Sequence, residues 1–160
     1  MTDKYLTGHF LVASRYLRDP NFAQSVVLMI HHNDEGAMGV VINRPSDKTV
    51  TEVWDVIGND PCDREEFIFI GGPVPGPLLA LHSIEEFSEH DVLPDLHVAT
   101  SRDSLDVLVR RTDDVLRLYS GHAGWGSGQL EGEMEAGGWL TTRATVDDVF
   151  ADHETIWKTV

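Results

Sequence analysis

Residues 25–45 read SVVLMIHHNDEGAMGVVINRP. Two apolar, β-branched runs, SVVLMIHH and AMGVVIN, flank the four residues Asn33-Asp34-Glu35-Gly36. Those four are turn formers, and glycine can take the positive φ that a tight reversal needs. The stretch therefore predicts a β-hairpin. A hairpin makes antiparallel neighbours, whereas a doubly wound fold joins parallel strands through helices. The hairpin thus points to an α+β fold.

Outward from the hairpin, LTGHFLVAS predicts a strand on its N-terminal side. On the other side, Arg44-Pro45 ends the second strand. Thr49-Val50-Thr51-Glu52 has capping-box spacing ahead of a short helix through Trp54, Val56 and Ile57, stopped by Gly58. Further strands are predicted at Phe67–Ile70, in LLALH, in LHVATS (96–101), in VLRLYS (115–120) and in WLTTRAT. Leu105, Leu108 and Val109 fall at helical spacing. Gln129–Ala136 reads as a helix closed by Gly137-Gly138, and Val146–Trp157 as a last helix. With 160 residues, no repeat and no linker, the expectation is one domain over 1–160.

Composition excludes several functions. The net charge is −15, from 27 acidic and 12 basic residues, and the basic residues form no stripe. Such a surface repels phosphate backbones, so direct nucleic acid binding is not expected. The longest uncharged run, FIFIGGPVPGPLLALHSI (67–84), carries three prolines and three glycines. Interior prolines cost a helix about 3 kcal/mol each, so this is a strand, a turn and a second strand, with no membrane span. Cys62 is the sole cysteine, which precludes an intrachain disulfide and points to a reducing, cytoplasmic setting. The N-terminal apolar run is too short for a signal peptide.

Residues 119–139, YSGHAGWGSGQLEGEMEAGGW, hold seven of the fourteen glycines. A strand, a glycine loop and a helix start form the order in which anions are bound. However, Gly121–Ser127 lacks the P-loop lysine, and Gly124, Gly126 and Gly128 alternate too strictly for a dinucleotide fingerprint. Ser127 lacks the glycine two residues earlier that a nucleophile elbow requires. Packing explains most of the stretch: the alternating glycines would let backbone pass close, and Trp125 would plug the core. Packing explains His122 and Gln129 least well. Among eight histidines, His82, His90 and His97 have no metal-ligand spacing, and His31 and His32 would point to opposite faces of a strand. Neither a metal nor a cofactor is expected.

GHFLVAS (8–14), GAMGVVINRP (36–45), GGPV with Leu81-His82 after it, and GHAGWGSGQLEGE (121–133) together carry a resemblance. The chain resembles the bacterial YqgE/AlgH family over nearly its whole length. It departs at His122, where an aromatic is expected, and at Ser127, where proline is common. The resemblance implies a mixed, barrel-like sheet flanked by helices and a cytoplasmic protein without established enzymatic activity. Some members are described as regulators of transcription, with no recognised DNA-binding motif behind that label. The functional expectation is a regulatory or binding protein that acts through a protein partner or small molecule. Its candidate residues are His122, Trp125, Gln129 and Glu131, next to Asn43 and Arg44. The alternative is an acid/base hydrolase using His122 or His82 with Glu131.

Overall fold

The computed structural model describes residues 5–15, 17, 19–20, 22–57, 62–111, 115–151 and 153–159. The hairpin forms as expected: β2 (Val26–Asn33) pairs antiparallel with β3 (Gly36–Val41), and Asn33 sits opposite Gly36. β1 (His9–Ala13) adds beside β2, and β11 (Trp139–Arg143) adds beside β1. β10 (Ala123–Gly126) pairs with β3, which completes a five-stranded antiparallel sheet ordered β10-β3-β2-β1-β11.

A second sheet of six strands is mixed. It contains β4 (Pro45–Thr49), β5 (Phe67–Ile70), β6 (Leu79–His82), β7 (His90–Leu93), β8 (Leu96–Ala99) and β9 (Leu116–Ser120), ordered β4-β5-β9-β6-β8-β7. Its β5–β9 pair is parallel and the others are antiparallel. The fold is α+β, as the sequence implied. The barrel-like sheet of the resemblance is two separate sheets, and neither closes.

Strand alternation sorts the apolar residues into three cores. Phe10, Val12, Val26, Leu28, Val40 and Ile42 from the first sheet meet Phe69, Leu79, Leu81, Leu96, Val98 and Tyr119 from the second. The opposite face of the second sheet, with Ala80, Leu116 and Leu118, packs on α1 (Val50–Ile57) and α2 (Arg102–Leu108) through Trp54, Leu105 and Leu108. The opposite face of the first sheet gathers Leu11, Val27, Met29, Ala37 and Trp125 under Leu130 of α3 (Gln129–Glu135). The first sheet is therefore buried on both faces, which is why the hairpin strands read as unbroken apolar runs.

The sequence and the structure differ in two places that matter for function. The first half of the glycine loop is a strand, β10, because its backbone completes the edge of the first sheet despite its glycines. The predicted 146–157 helix is two short helices, α4 (Val146–Val149) and α5 (Ile156–Thr159). There, the Arg117 guanidinium takes the carbonyls of Val149, Phe150 and Ala151, which a continuing helix would use itself. Trp157 then donates its indole N–H to the Ala13 carbonyl at 2.7 Å. The Thr49–Glu52 capping box forms, with the Thr49 hydroxyl 3.1 Å from the Glu52 amide; Gly58 lies outside the described residues. The uncharged 67–84 run is β5, a proline turn and β6, and no helix among the described residues is long and apolar enough to cross a membrane.

Candidate functional site

A flat five-stranded sheet would hold its edges about 19 Å apart. Yet the rings of Trp125, on edge strand β10, and Trp139, on edge strand β11, have centroids 6.2 Å apart. The first sheet curves enough for side chains of its two edge strands to meet, and α3 contacts both of those strands. Phe22 completes the group, with its ring 6.1 Å from that of Trp125 and 5.6 Å from that of Trp139. The indoles are 6% and 3% exposed, so both are core residues that reach the surface only at an edge.

A cleft of about 370 Å³ opens over this group, lined also by Leu17, Asp19, Gly124, Gln129, Glu133 and the turn Ala136–Gly138. Glu133 organises it. One carboxylate oxygen accepts the indole N–H groups of Trp125 and Trp139 at 3.1 and 3.0 Å. The other accepts from the Gln129 amide at 3.2 Å, while the Gln129 carbonyl oxygen takes the Gly126 amide at 2.9 Å. The helix register produces this arrangement: Gln129 and Glu133 are four apart and share a face of α3. Glu133 and Trp139 were absent from the sequence candidates, although that i, i+4 spacing after the glycine stretch was a usable signal.

The structure divides the six sequence candidates. Trp125 and Gln129 share the cleft. His122 lies at the other end of the same stretch, where its backbone makes an isolated two-bond bridge to Val74. That places it against the Gly71-Gly72-Pro73 turn, beside which Arg44 also lies. Arg44 donates to the Ala23 carbonyl at 2.9 Å, and Asn43 bridges the Val26 amide and the Gln24 carbonyl. The two residues secure the segment entering β2, and they line a separate cleft of about 390 Å³ with His153, Trp157 and Lys158. Trp125 pairs with Ala37, six residues before Asn43, or roughly 20 Å of extended chain. The expected continuous surface is thus two places joined by β3.

The acid/base pair expected of a hydrolase does not form. The imidazole that Glu131 faces is that of His32, at 3.5 Å. His32 is buried, and its Nδ1 accepts the Leu6 amide at 3.0 Å, so the ring proton sits on Nε2 toward Glu131 and no lone pair is left to act as a base. His82 is fully buried on β6, opposite His97, and its Nδ1 accepts the Ile84 amide at 3.1 Å. His97 and exposed Asp91 do approach at 2.7 Å. The Ser88 hydroxyl and His97 together hold the Asp91 carboxyl below its ordinary range, and the hydroxyl bonds the carboxylate instead of the imidazole. A nucleophile activated by that histidine is absent from this group. Burial pushes the Cys62 thiol up, away from the thiolate. Among the described residues, no three of His, Cys, Asp and Glu gather as metal ligands would.

Comparison with known proteins returns the same fold and sequence pattern. Residues 10–160 match the model of the AlgH-like family. A relative in Myxococcus xanthus is 39% identical over 161 residues, covering 98% of this chain and 89% of its own. The solution structure of AlgH from Pseudomonas aeruginosa superposes with a TM-score of 0.77 at 34% identity, covering 94% of this chain and 83% of that one. A crystal structure of a protein from Corynebacterium diphtheriae gives 0.79 at 25% identity, covering 99% and 87%.

Proposed function

The chain belongs to the AlgH-like family, and we propose that it acts by binding, as a non-enzymatic regulatory protein working through a protein partner or small molecule. The site is the cleft of Trp125, Gln129, Glu133 and Trp139. One observation carries this reading: the polar side chains of that cleft orient one another, and none of the described residues lining it is a serine, cysteine, histidine or lysine that could serve as a nucleophile. A constellation of this kind holds a shape and a charge. The −15 net charge supports a partner other than nucleic acid. The single buried cysteine supports action in the cytoplasm.

The test is a capture experiment from native lysate with three baits: wild type, Gly124→Val and His122→Ala. Mass spectrometry reads both proteins and small molecules. The expected outcome is a component retained by wild type and His122→Ala and lost by Gly124→Val, whose side chain would fill the cleft. Identical retention by wild type and Gly124→Val would remove the cleft from consideration. Turnover of an ester or amide panel by wild type, abolished in His122→Ala, would restore the hydrolase.

A further inference from the structure

We infer that β11 is an assembly edge, to which a second copy of this chain adds strand against strand across a two-fold axis at Thr141. β11 borders the cleft only through Trp139, so this edge and the binding site are separate surfaces.

Two open sheets have four edge strands, and an edge strand offers unpaired N–H and C=O groups to any strand that approaches. Three of the four are guarded. β4 starts at Pro45, carries Asp47 and Lys48, and commits the Lys48 amide and carbonyl to the Ser46 hydroxyl. Its register along β5 also shifts. β7 presents His90 and Asp91 and shifts register between Asp91 and Leu93, and the His90 ring bonds the Ile30 carbonyl at 3.0 Å. β10 is short and half glycine, and the Gln129 side chain takes its Gly126 amide at 2.9 Å.

β11 lacks these devices. It contains no proline, glycine or acidic residue, its one charge stands at the last position, and it pairs with β1 in unbroken register. That register fixes which backbone groups stay open. The Ser14 amide bonds the Gly138 carbonyl, and the Ala144 amide bonds the Gly8 carbonyl. Bonded pairs alternate along an antiparallel ladder, so Leu140 and Thr142 turn their backbone to β1 while Thr141 turns its N–H and C=O outward. Among the described residues nothing bonds either group, and Thr141 is exposed.

The strand fits its own copy. A two-fold axis at Thr141 sets that residue opposite itself, and each N–H then meets the other copy's C=O. The same register puts Leu140 opposite Thr142 of the second copy and diagonally beside the second copy's Leu140. Leu140 is 62% exposed in the single chain, and this contact covers it. In a chain with 27 acidic residues, the three residues around the axis carry no charge, so no like charges oppose each other there. A strand from another protein would have to supply that pattern; a second copy brings it.

Sedimentation equilibrium of the full chain from about 1 µM to about 1 mM tests this, because a single strand pair makes a small, weak interface. Wild type is expected to pass from monomer to dimer in that range, while hydrogen exchange at the Thr141 amide slows about fivefold or more. Thr141→Pro removes an outward N–H and leaves the ladder to β1 intact. It should fold and stay monomeric, since proline is tolerated on an edge. Leu140→Lys, at an exposed position, should weaken dimerisation about tenfold or more by setting two ammonium groups side by side. If Thr141→Pro fails to fold, Leu140→Lys carries the test. A wild type that stays monomeric to about 1 mM overturns the inference. So does a dimer whose affinity either folded variant leaves unchanged, or one that forms without slowing exchange at Thr141.

Discussion

Two sets of glycines sit within one stretch of sequence and its neighbours, and they do opposite things. Around the Gly71-Gly72 turn the backbone is crowded: a Cβ on Gly72, at φ +154°, would lie 2.3 Å from the His122 carbonyl. One on Gly121, at φ +78°, would lie 2.7 Å from the Gly72 carbonyl oxygen. Gly36 is similarly crowded, with its Cβ position 2.4 Å from the Trp125 carbonyl oxygen. Gly71, Gly72 and Gly121 close the joint between the two sheets, while Gly36 sits where β3 meets β10 within the first. Gly124 and Gly128, a few residues on, would meet nothing within 4 Å. The first set is required by contact, the second is not. A glycine count alone therefore says nothing about role; only what surrounds each one does.

The largest effect expected to sharpen this contrast comes from a residue that bears on both sets. Trp125 carries the carbonyl that crowds Gly36 and the ring that floors the cleft. Trp125→Ala removes a 6% exposed indole from the core and frees Glu133 from one of its donors. The cost should be about 3–5 kcal/mol, as for other large aromatic deletions in cores. Urea denaturation measures it, and a loss below about 1 kcal/mol would make Trp125 a surface residue with no part in the core beneath α3.

Gly72→Ala should come next. It combines positive-φ strain with a backbone overlap that no rotamer can relieve, for a loss of about 3 kcal/mol and a drop in melting temperature of about 10 °C. A melting temperature unchanged from wild type would mean that the turn yields, and the crowded set would lose its definition.

These sites show where sequence reasoning succeeded and where it stopped. The hairpin, the helix caps and the proline turn were legible because each is fixed by local chemistry. Asn33–Gly36 chooses a reversal, Thr49 caps with Glu52, and prolines forbid a helix. Trp125 was legible as core for the same reason, since size and apolarity do not depend on partners. The glycines were misassigned. Gly124, Gly126 and Gly128 were expected to clear a path for neighbouring backbone, but that clearance is needed at Gly36, Gly71 and Gly72, whose partners lie far along the chain. Glu133 was missed because its importance lies in two indoles brought together by sheet curling, and Trp139 is placed there by β1. Glu131 was paired with the wrong histidine for a related reason: His32 reaches it across the hairpin, from 99 residues earlier in sequence.

A smaller effect separates the two reasons for using glycine. Gly128 has open space but φ +75°, so Gly128→Ala should lose about 1 kcal/mol to left-handed strain alone. Gly128→Asn should recover most of it, because asparagine tolerates that region. Equal losses in both variants would point to a contact at Gly128 instead of a backbone requirement.

The smallest effect expected is also the most discriminating. Gly124 has neither requirement, as its φ is unexceptional and its Cβ position is empty. In a strand, glycine is disfavoured relative to alanine by roughly 0.5–1 kcal/mol, chiefly through the entropy it loses on folding. Gly124→Ala should therefore leave the melting temperature unchanged or raise it by a degree or two. A fall of more than about 1 kcal/mol would break the contrast between the two sets, since Gly124 would then have a structural role that its surroundings do not show. A rise would mean that the protein keeps, at the mouth of its cleft, a residue that weakens its own edge strand. Stability cannot account for such a residue, and space for a ligand can.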